Sequence, residues 1–418
     1  MKNDFEYERR RRAIDLLYGG VRFEKILREL QRGRFWLAKW IRRYKALGLE
    51  GLRDRGRTPK HIRNRTPGST VRKILALRDE LVAHKTRRAA FAGIGAETIH
   101  FELHRRGTRH LPSISTIEKI LARAGKTKRV KARRPPGGPT YPYVPARKTG
   151  DLQQTDLVGP RHLRGSRGVT RFYSFHTIDV ASQTAAAHQF RDKRTLSLLA
   201  HLVSAWRFMG LPKVSQMDNE MSASGGGRYR YSLSQVIRLH LLLGIHLLFI
   251  PPKEPGRNAA VESFNNTWQV RVLRHRCPDL RLLRRTSRRF LDYYHFRKPC
   301  RSLSPDQHGT RFPGVLRDRL WPTLRHLPAG FTLDSCLEGP GRLSLPIAKG
   351  LVSWVRKVNA HGRIEFNGNE YFVGRKLERQ YVVATLSTYH RRVFIKHEGK
   401  LIKSIPFPLK GKIVEPLC

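Results

Sequence analysis

The chain has 418 residues, too many for one ordinary core; domains run to about 100–200 residues, so two to four are expected. Lys and Arg number 83 against 32 Asp and Glu, a formal net charge of +51, and self-repulsion on that scale points to a polyanionic partner and away from an enzyme of small neutral metabolites. Hydrophobic residues at 39% and aromatics at 9% suffice for packed cores, which excludes a merely disordered basic tail.

Residues 1–12 are charged and hold no apolar stretch, so no secretory signal is read there. Residues 1–150 carry 39 Lys and Arg against 13 Asp and Glu, about half of the whole surplus in the first third. Three short helices are expected at 8–18, 23–30 and 34–47, separated by Gly19-Gly20 and by Gly33. In the third, Leu37, Trp40, Ile41, Tyr44 and Leu47 recur at helical spacing, while Lys39, Arg42, Arg43 and Lys45 line the other face with no acid among them. A basic third helix suits a helix-turn-helix module over 1–60, whose last helix enters the major groove; the plain alternative is a helical bundle with a solvated face. A second set of three helices, at 70–84, 96–106 and 113–124, makes another helical DNA-binding module over 61–125, with Ser113 or Ser115 as N-cap and Gly125 as a stop.

Residues 126–149 read as a linker. Lys126, Lys128, Arg129, Lys131, Arg133 and Arg134 are followed by Pro135, Pro136, Gly137, Gly138, Pro139, Pro142 and Pro145, a density that supports neither helix nor interior strand. The segment is either a basic strap along phosphates or a solvated tether. From 150 onward strands (152–158, 171–179, 184–190, 213–217 and 245–250) alternate with helices (195–209, 232–243 and 258–274), which predicts an α/β core with a mixed sheet of five strands over 150–310. The apolar run 239–252 is shorter than the roughly 18 residues a membrane span needs and contains two histidines, so no membrane partner is expected. Short, evenly spaced strands over about 349–408 suggest a small β-barrel within 345–418. The four cysteines, Cys277, Cys300, Cys336 and Cys418, show no CxxC pairing, which fits a reducing cytoplasm and neither a zinc finger nor a disulfide framework.

Three acids stand out by context. Asp156 lies inside the first strand, Asp218 closes the fourth, and Glu262 sits in the first turns of the long helix, beside the apolar stripe of Val261, Phe264, Trp268 and Val272. A carboxylate in or at the end of an apolar strand is costly unless paired or bound to a cation. Three oxygen ligands suit Mg²⁺, with Mn²⁺ as a substitute, and a pair of such ions serves phosphoryl transfer. Glu254 competes with Glu262 for the third place. It is wedged between Lys253 and Pro255 in a Pro-rich loop, where no rigid element aims it, so Glu262 is preferred. Asp151 and Asp179 read as turn residues. Lys253, Arg257 and Arg271 flank the acids and are candidates for holding phosphates.

With their contexts (Gln153-Gln154-Thr155-Asp156, Gln216-Met217-Asp218-Asn219 and Asn258 four residues before Glu262), these acids resemble those of DDE-type transposases of bacterial insertion sequences, which belong with the retroviral integrases. The resemblance runs over essentially the whole chain, from Gly48-Leu49-Glu50-Gly51-Leu52 with Pro59, through Gly244-Ile245-His246 and Pro251-Pro252, to Asn367-Gly368, Tyr371 and Val373-Gly374. It implies a multidomain protein with an RNase H-like core and catalysis by two divalent metal ions, Asp156 bridging both and Asp218 and Glu262 each holding one. It implies double-stranded DNA as partner, both as transposon end repeats and as target, and a homo-oligomer on paired ends, and it leaves room for accessory proteins. Glu220 stands where the family usually has Gly. The 43 residues between Asp218 and Glu262 exceed the usual spacing, with an insertion over 222–234 as the apparent source. Two rivals remain: a DNA-binding regulator with a decayed core, and an RNase H-like nuclease that cuts without joining.

Overall fold

A computed structural model describes residues 2–54, 65–84, 86, 89–127, 139–165, 168–218, 231–336 and 343–418. The chain divides into two compact units, 1–67 and 68–418. Among the described residues no helix is long and apolar enough to cross a membrane.

The first unit holds α1 (Lys2–Tyr18), α2 (Phe23–Leu30) and α3 (Arg34–Leu47), followed by a 3₁₀ turn over Gly48–Leu52. α1 begins six residues earlier than its apolar periodicity suggests, because its first turns are polar and leave no hydrophobic stripe to read. Ala13, Ile26 and Leu37 interlock at the centre, and Ile14, Trp40 and Leu52 form a second layer. Arg10 lies over the Trp40 ring at 4.0 Å, donates to the Leu52 carbonyl at 2.8 Å and pairs with Asp54 at 3.0 Å, so the chain after α3 is strapped to α1. Glycine at 51 is a steric requirement: a Cβ there would lie 2.2 Å from the Arg43 carbonyl oxygen.

The second unit begins with α4 (Gly68–Ala83), α5 (Ala96–Arg105) and α6 (Ile114–Arg123), packed through Ile74, Leu77, Leu81, Ile99, Leu103, Ile117 and Leu121. Ser113 caps α6, accepting from the Thr116 N–H at 3.3 Å. These helices are docked on the rest of the unit. Phe91, between α4 and α5, meets Phe290 edge-on at 5.9 Å, and Phe101 meets Phe312 at 5.5 Å.

The core follows as β1 (Leu152–Gly165), β2 (Gly168–Asp179), β3 (Ala185–Phe190), α7 (Thr195–Met209), β4 (Val214–Met217), α8 (Gln235–Leu242), β5 (His246–Phe249), α9 (Ala259–Val272), α10 (Leu280–Phe296), α11 (Pro305–His308) and α12 (Pro313–Leu320). β1, β2 and β3 form an antiparallel meander, while β4 and β5 run parallel to β1, joined through α7 and α8. The remaining strands are β6 (Ile347–Ala348), β7 (Leu351–Lys357), β8 (Arg363–Phe366), β9 (Asn369–Phe372), β10 (Tyr381–Ser387), β11 (Arg392–His397), β12 (Lys400–Pro406) and β13 (Ile413–Val414).

The mixed sheet does not stop at five strands. β7 adds to β5 in parallel, Leu247 opposite Val352 and Phe249 opposite Trp354, and the order becomes β12-β11-β10-β7-β5-β4-β1-β2-β3. The cause is apolar: β5 is buried, and Trp354 stacks on Phe249 at 5.9 Å and on Phe366 at 5.2 Å, so the C-terminal strands share one core with the α/β layer. Among the described residues no ladder joins β12 to β7 or to the β8–β9 hairpin, and the strands extend the mixed sheet.

Candidate catalytic site

Strand alternation sorts the polar residues of β1 onto two faces. Gln153 and Thr155 face α7, where the Thr155 hydroxyl is 2.9 Å from that of Thr177 and Thr177 is 2.8 Å from His201 Nε2. Gln154 and Asp156 face α9. The parallel ladder sets Thr155 opposite Met217, so Asp156 and Asp218 occupy the next level on neighbouring strands.

The start of α9 is fastened above them by side chains of the sheet. The Gln154 Oε1 accepts from the N–H groups of Ala260 and Val261, at 3.1 and 3.3 Å. It thereby satisfies two of the helix's orphan donors, since Asn258 at the N-cap makes no capping bond itself. Gln216 donates to the Arg257 carbonyl at 2.9 Å and to Asn258 Oδ1 at 2.8 Å, and Asn258 donates to the Thr155 carbonyl at 3.3 Å. Glu262 and Asn265, one turn apart, therefore share the face that overlies β1, and Asn265 Nδ2 donates to Asp156 Oδ2 at 2.6 Å.

Burial pushes the Asp156 carboxyl up to about 6, and the neighbouring charges of Glu262 and Asp218 push the same way, against the Leu157 N–H and the Asn265 amide. Arg356 on β7 adds a cation in this region: burial draws its guanidinium down to about 10, while Glu365 and Asp218 pull it back up. The hard oxygen donors and the raised Asp156 fit a divalent cation in chemistry. As they stand, however, no group of three or more His, Cys, Asp or Glu side chains among the described residues is disposed to hold a metal ion.

Glu254 is engaged by other side chains. It pairs with Arg257 at 2.9 Å and accepts from the Tyr381 hydroxyl at 2.7 Å. Arg257 is enclosed in turn, 4.2 Å from the centre of the Tyr141 ring and 3.0 Å from the Tyr143 hydroxyl, so it is not a free phosphate ligand. Arg271 also points elsewhere: half-buried, it donates to the Phe91 carbonyl and ties α9 to the α4–α6 helices. Lys253 is exposed, and among the described residues no hydrogen bond or ion pair engages it. Asp151 is bound by Lys213 and two backbone N–H groups, and Asp179 by Gly150 and Ser182, both as turn residues.

On α3 the cations divide in the same way. Arg42 and Lys45 are exposed, and so is Lys39, although its ammonium lies 5.0 Å from the centre of the Trp40 ring; Arg43 covers Trp40 at 4.5 Å and donates to the Arg53 carbonyl at 2.7 Å. Lys128, Arg129, Lys131, Arg133, Arg134, Asn219, Glu220 and most of 222–234 lie outside the described residues. Asn265 went unmarked in the sequence, and Gln154 and Gln216 entered only as context of the aspartates, with no role. The available signal was spacing, Asn265 one turn after Glu262 and both glutamines two residues before an aspartate.

Residues 36–121 match a family model described as a homeodomain-like domain. Among solved structures, a chain of the simian T-cell lymphotropic virus intasome, in complex with PP2A regulatory subunit B56 gamma, is 15% identical, with 78% of this chain and 99% of that chain covered and a TM-score of 0.33. The HTLV-2 integrase catalytic core domain in complex with magnesium is 14% identical over 40% of this chain and 96% of that one, TM-score 0.29. The BIV integrase catalytic core domain is 13% identical over 42% and 97%, TM-score 0.29.

Proposed function

We propose that this chain is an integrase-like DNA transposase: it binds the end repeats of a mobile element, hydrolyses a phosphodiester there to expose a 3′-OH, and joins that hydroxyl to target DNA by transesterification. The observation that supports the reading is the junction of β1 and α9, where Gln154 holds the helix terminus and Asn265 holds Asp156, with Asp218 following β4 beside β1, in a chain of charge +51. The homeodomain-like match and the exposed cations of α3 support DNA binding.

Asp156, Asp218 and Glu262 would hold two Mg²⁺ ions, or Mn²⁺ in their place; when bound, the cations supply charge neutralisation and activation of the attacking oxygen. The chain's own part is geometric. Gln154, Gln216 and Asn258 keep the α9 terminus against the strand ends, Asn265 fixes the Asp156 carboxylate, and Lys253 offers charge to a phosphate. No covalent enzyme intermediate is needed, because a positioned hydroxyl attacks directly. The reading also takes in a dimer or higher homo-oligomer on paired ends.

The test is strand transfer from pre-cleaved candidate ends into plasmid with Mg²⁺ or Mn²⁺; end binding without any joining or cleavage would overturn it. A DNA-binding regulator with a decayed core is the second reading, favoured by the lack of a closed metal-ligand group among the described residues. It predicts that same negative outcome.

A further inference from the structure

Behind Asp156 runs a line of buried polar groups, all joined at hydrogen-bond distance. Asn265 Nδ2 is 2.6 Å from Asp156 Oδ2, and Asn265 Oδ1 is 2.6 Å from His176 Nδ1. His176 Nε2 is 2.7 Å from the Ser174 hydroxyl, and Gln189 Nε2 is 3.0 Å from that hydroxyl and 3.1 Å from the Ser287 hydroxyl. Trp268 Nε1 closes the line, donating to Ser287 at 2.9 Å. His176, Ser174, Gln189 and Ser287 are all buried.

The direction of this line is dictated by its end. An ionised carboxylate only accepts, so Asn265 presents its amide nitrogen to Asp156 and its carbonyl oxygen to His176. An amide oxygen also only accepts, so His176 carries its proton on Nδ1. Its Nε2 is then an acceptor, met by the Ser174 O–H, whose oxygen accepts in turn from Gln189. Each link from Asp156 to Gln189 thus pairs a donor with an acceptor, and one tautomer of the histidine is selected. The register opposes His176 to Asp156 across β1 and β2, while the Phe264 and Trp268 rings hold the imidazole edge-on at 5.3 and 4.8 Å.

We infer that His176 is a positioning residue for the reacting centre: as the Nδ1–H tautomer fixed by Ser174 and Gln189, it aims Asn265, and Asn265 holds the Asp156 carboxylate in the orientation that receives a divalent cation. This rests on the proposed function above. Elsewhere in the protein the comparable network of Thr155, Thr177, His201 and His188 faces α7 and reaches no carboxylate of the site.

Two substitutions separate aiming from packing in the full-length chain. His176→Asn keeps an N–H near the Nδ1 position and loses the ring; His176→Phe keeps a ring and loses the donor. Two quantities are read: strand transfer, and the Mn²⁺ concentration at which the Tm rises. His176→Phe should lose strand transfer and raise the Mn²⁺ midpoint by about 10–100-fold, the usual effect of removing an outer-sphere partner. His176→Asn should stay within about threefold of wild type in both, the donor being retained. The reverse order, Phe tolerated and Asn not, would make His176 a packing residue and overturn the inference. Should His176→Phe fail to fold, Ser174→Ala serves in its place: a several-fold rise in the Mn²⁺ midpoint supports the relay, and an unchanged midpoint overturns it. Asp156→Asn separates the two levels. If wild type and Asp156→Asn are alike in showing no Mn²⁺ response, the catalytic reading itself fails and takes the relay with it.

Discussion

The α1–α3 unit and the β1–β4–α9 junction handle charge in opposite ways. In the first, most ion pairs are exposed or half-exposed, as between Arg12 and Glu29 or Arg32 and Glu6, and apolar residues define most of the packing, with Arg10 as the buried exception. In the second, polar side chains are buried and bonded to partners about 100 residues away in sequence, as Gln154 is to α9 and Asn265 to Asp156. The contrast separates two kinds of specification. Surface charge is tuned for a partner and tolerates change, whereas buried polar groups must all be satisfied together, and one loss leaves another group without its bond.

The sharpest way to break that contrast is Glu262→Gln. If the junction is the reacting centre, strand transfer should fall by at least about 100-fold while affinity for end DNA changes less than about twofold, since a ligand for the cation is removed and not a DNA contact. Glu254→Gln should instead lower the Tm, because it loosens the bonds to Arg257 and Tyr381. Full joining activity in Glu262→Gln, with loss in Glu254→Gln, would move the centre to the loop.

The same contrast explains what was legible in the sequence. Helix positions in the first unit follow from Leu37, Trp40 and Tyr44 recurring at helical spacing, and the five core strands from their aromatic and β-branched runs. The three acids stood out because carboxylates at the ends of apolar strands are unusual. Strand partners further along the chain were not legible. Nothing in the residues of β7 says that it pairs with β5, because alternation defines a face and not a neighbour. Nor did basic character tell which arginines are spoken for: Arg257 and Arg271 look like phosphate ligands until Tyr141, Glu254 and the Phe91 carbonyl are seen around them.

A second test asks whether the C-terminal strands belong to the junction's body or stand alone. Trp354 is buried between Phe249 of β5 and Phe366 of β8. Trp354→Ala should cost about 3–5 kcal/mol. Hydrogen exchange should show protection falling in β4 and β5 together with β7, β10 and β11. Loss confined to residues 351–406 would mean that those strands fold by themselves.

Acid separates the two regions by composition. Residues 2–54 contain no histidine, whereas the second unit buries several as neutral rings. Burial draws His240 down to about 4 and His295 to about 3. Their folded values lie below the unfolded one, so their contribution is complete above pH 6.5 and is lost as pH falls through that value toward 4. By pH 5 each should have cost about 2 kcal/mol. Asp179 tempers the fall, since burial pushes its carboxyl upward and favours protonation in the folded state. Hydrogen exchange between pH 7.5 and 5 should therefore show the second unit opening before α1–α3; equal loss in both would count against the buried neutral imidazoles.

The smallest expected effect lies on α3, where exposure divides four cations that look alike in sequence. Lys39, Arg42 and Lys45 are exposed, and each one that touches a phosphate displaces about one counterion. Arg42→Ala and Lys45→Ala should each reduce the slope of log affinity against log salt by about 1 and leave the Tm unchanged. Arg43→Ala should do the opposite, because its guanidinium covers Trp40 and bonds the Arg53 carbonyl: a lower Tm, with the salt slope nearly intact. Slopes that fall equally for Arg42 and Arg43 would mean that Arg43 leaves Trp40 when DNA binds, and that the division between surface charge and structural charge does not hold on this helix.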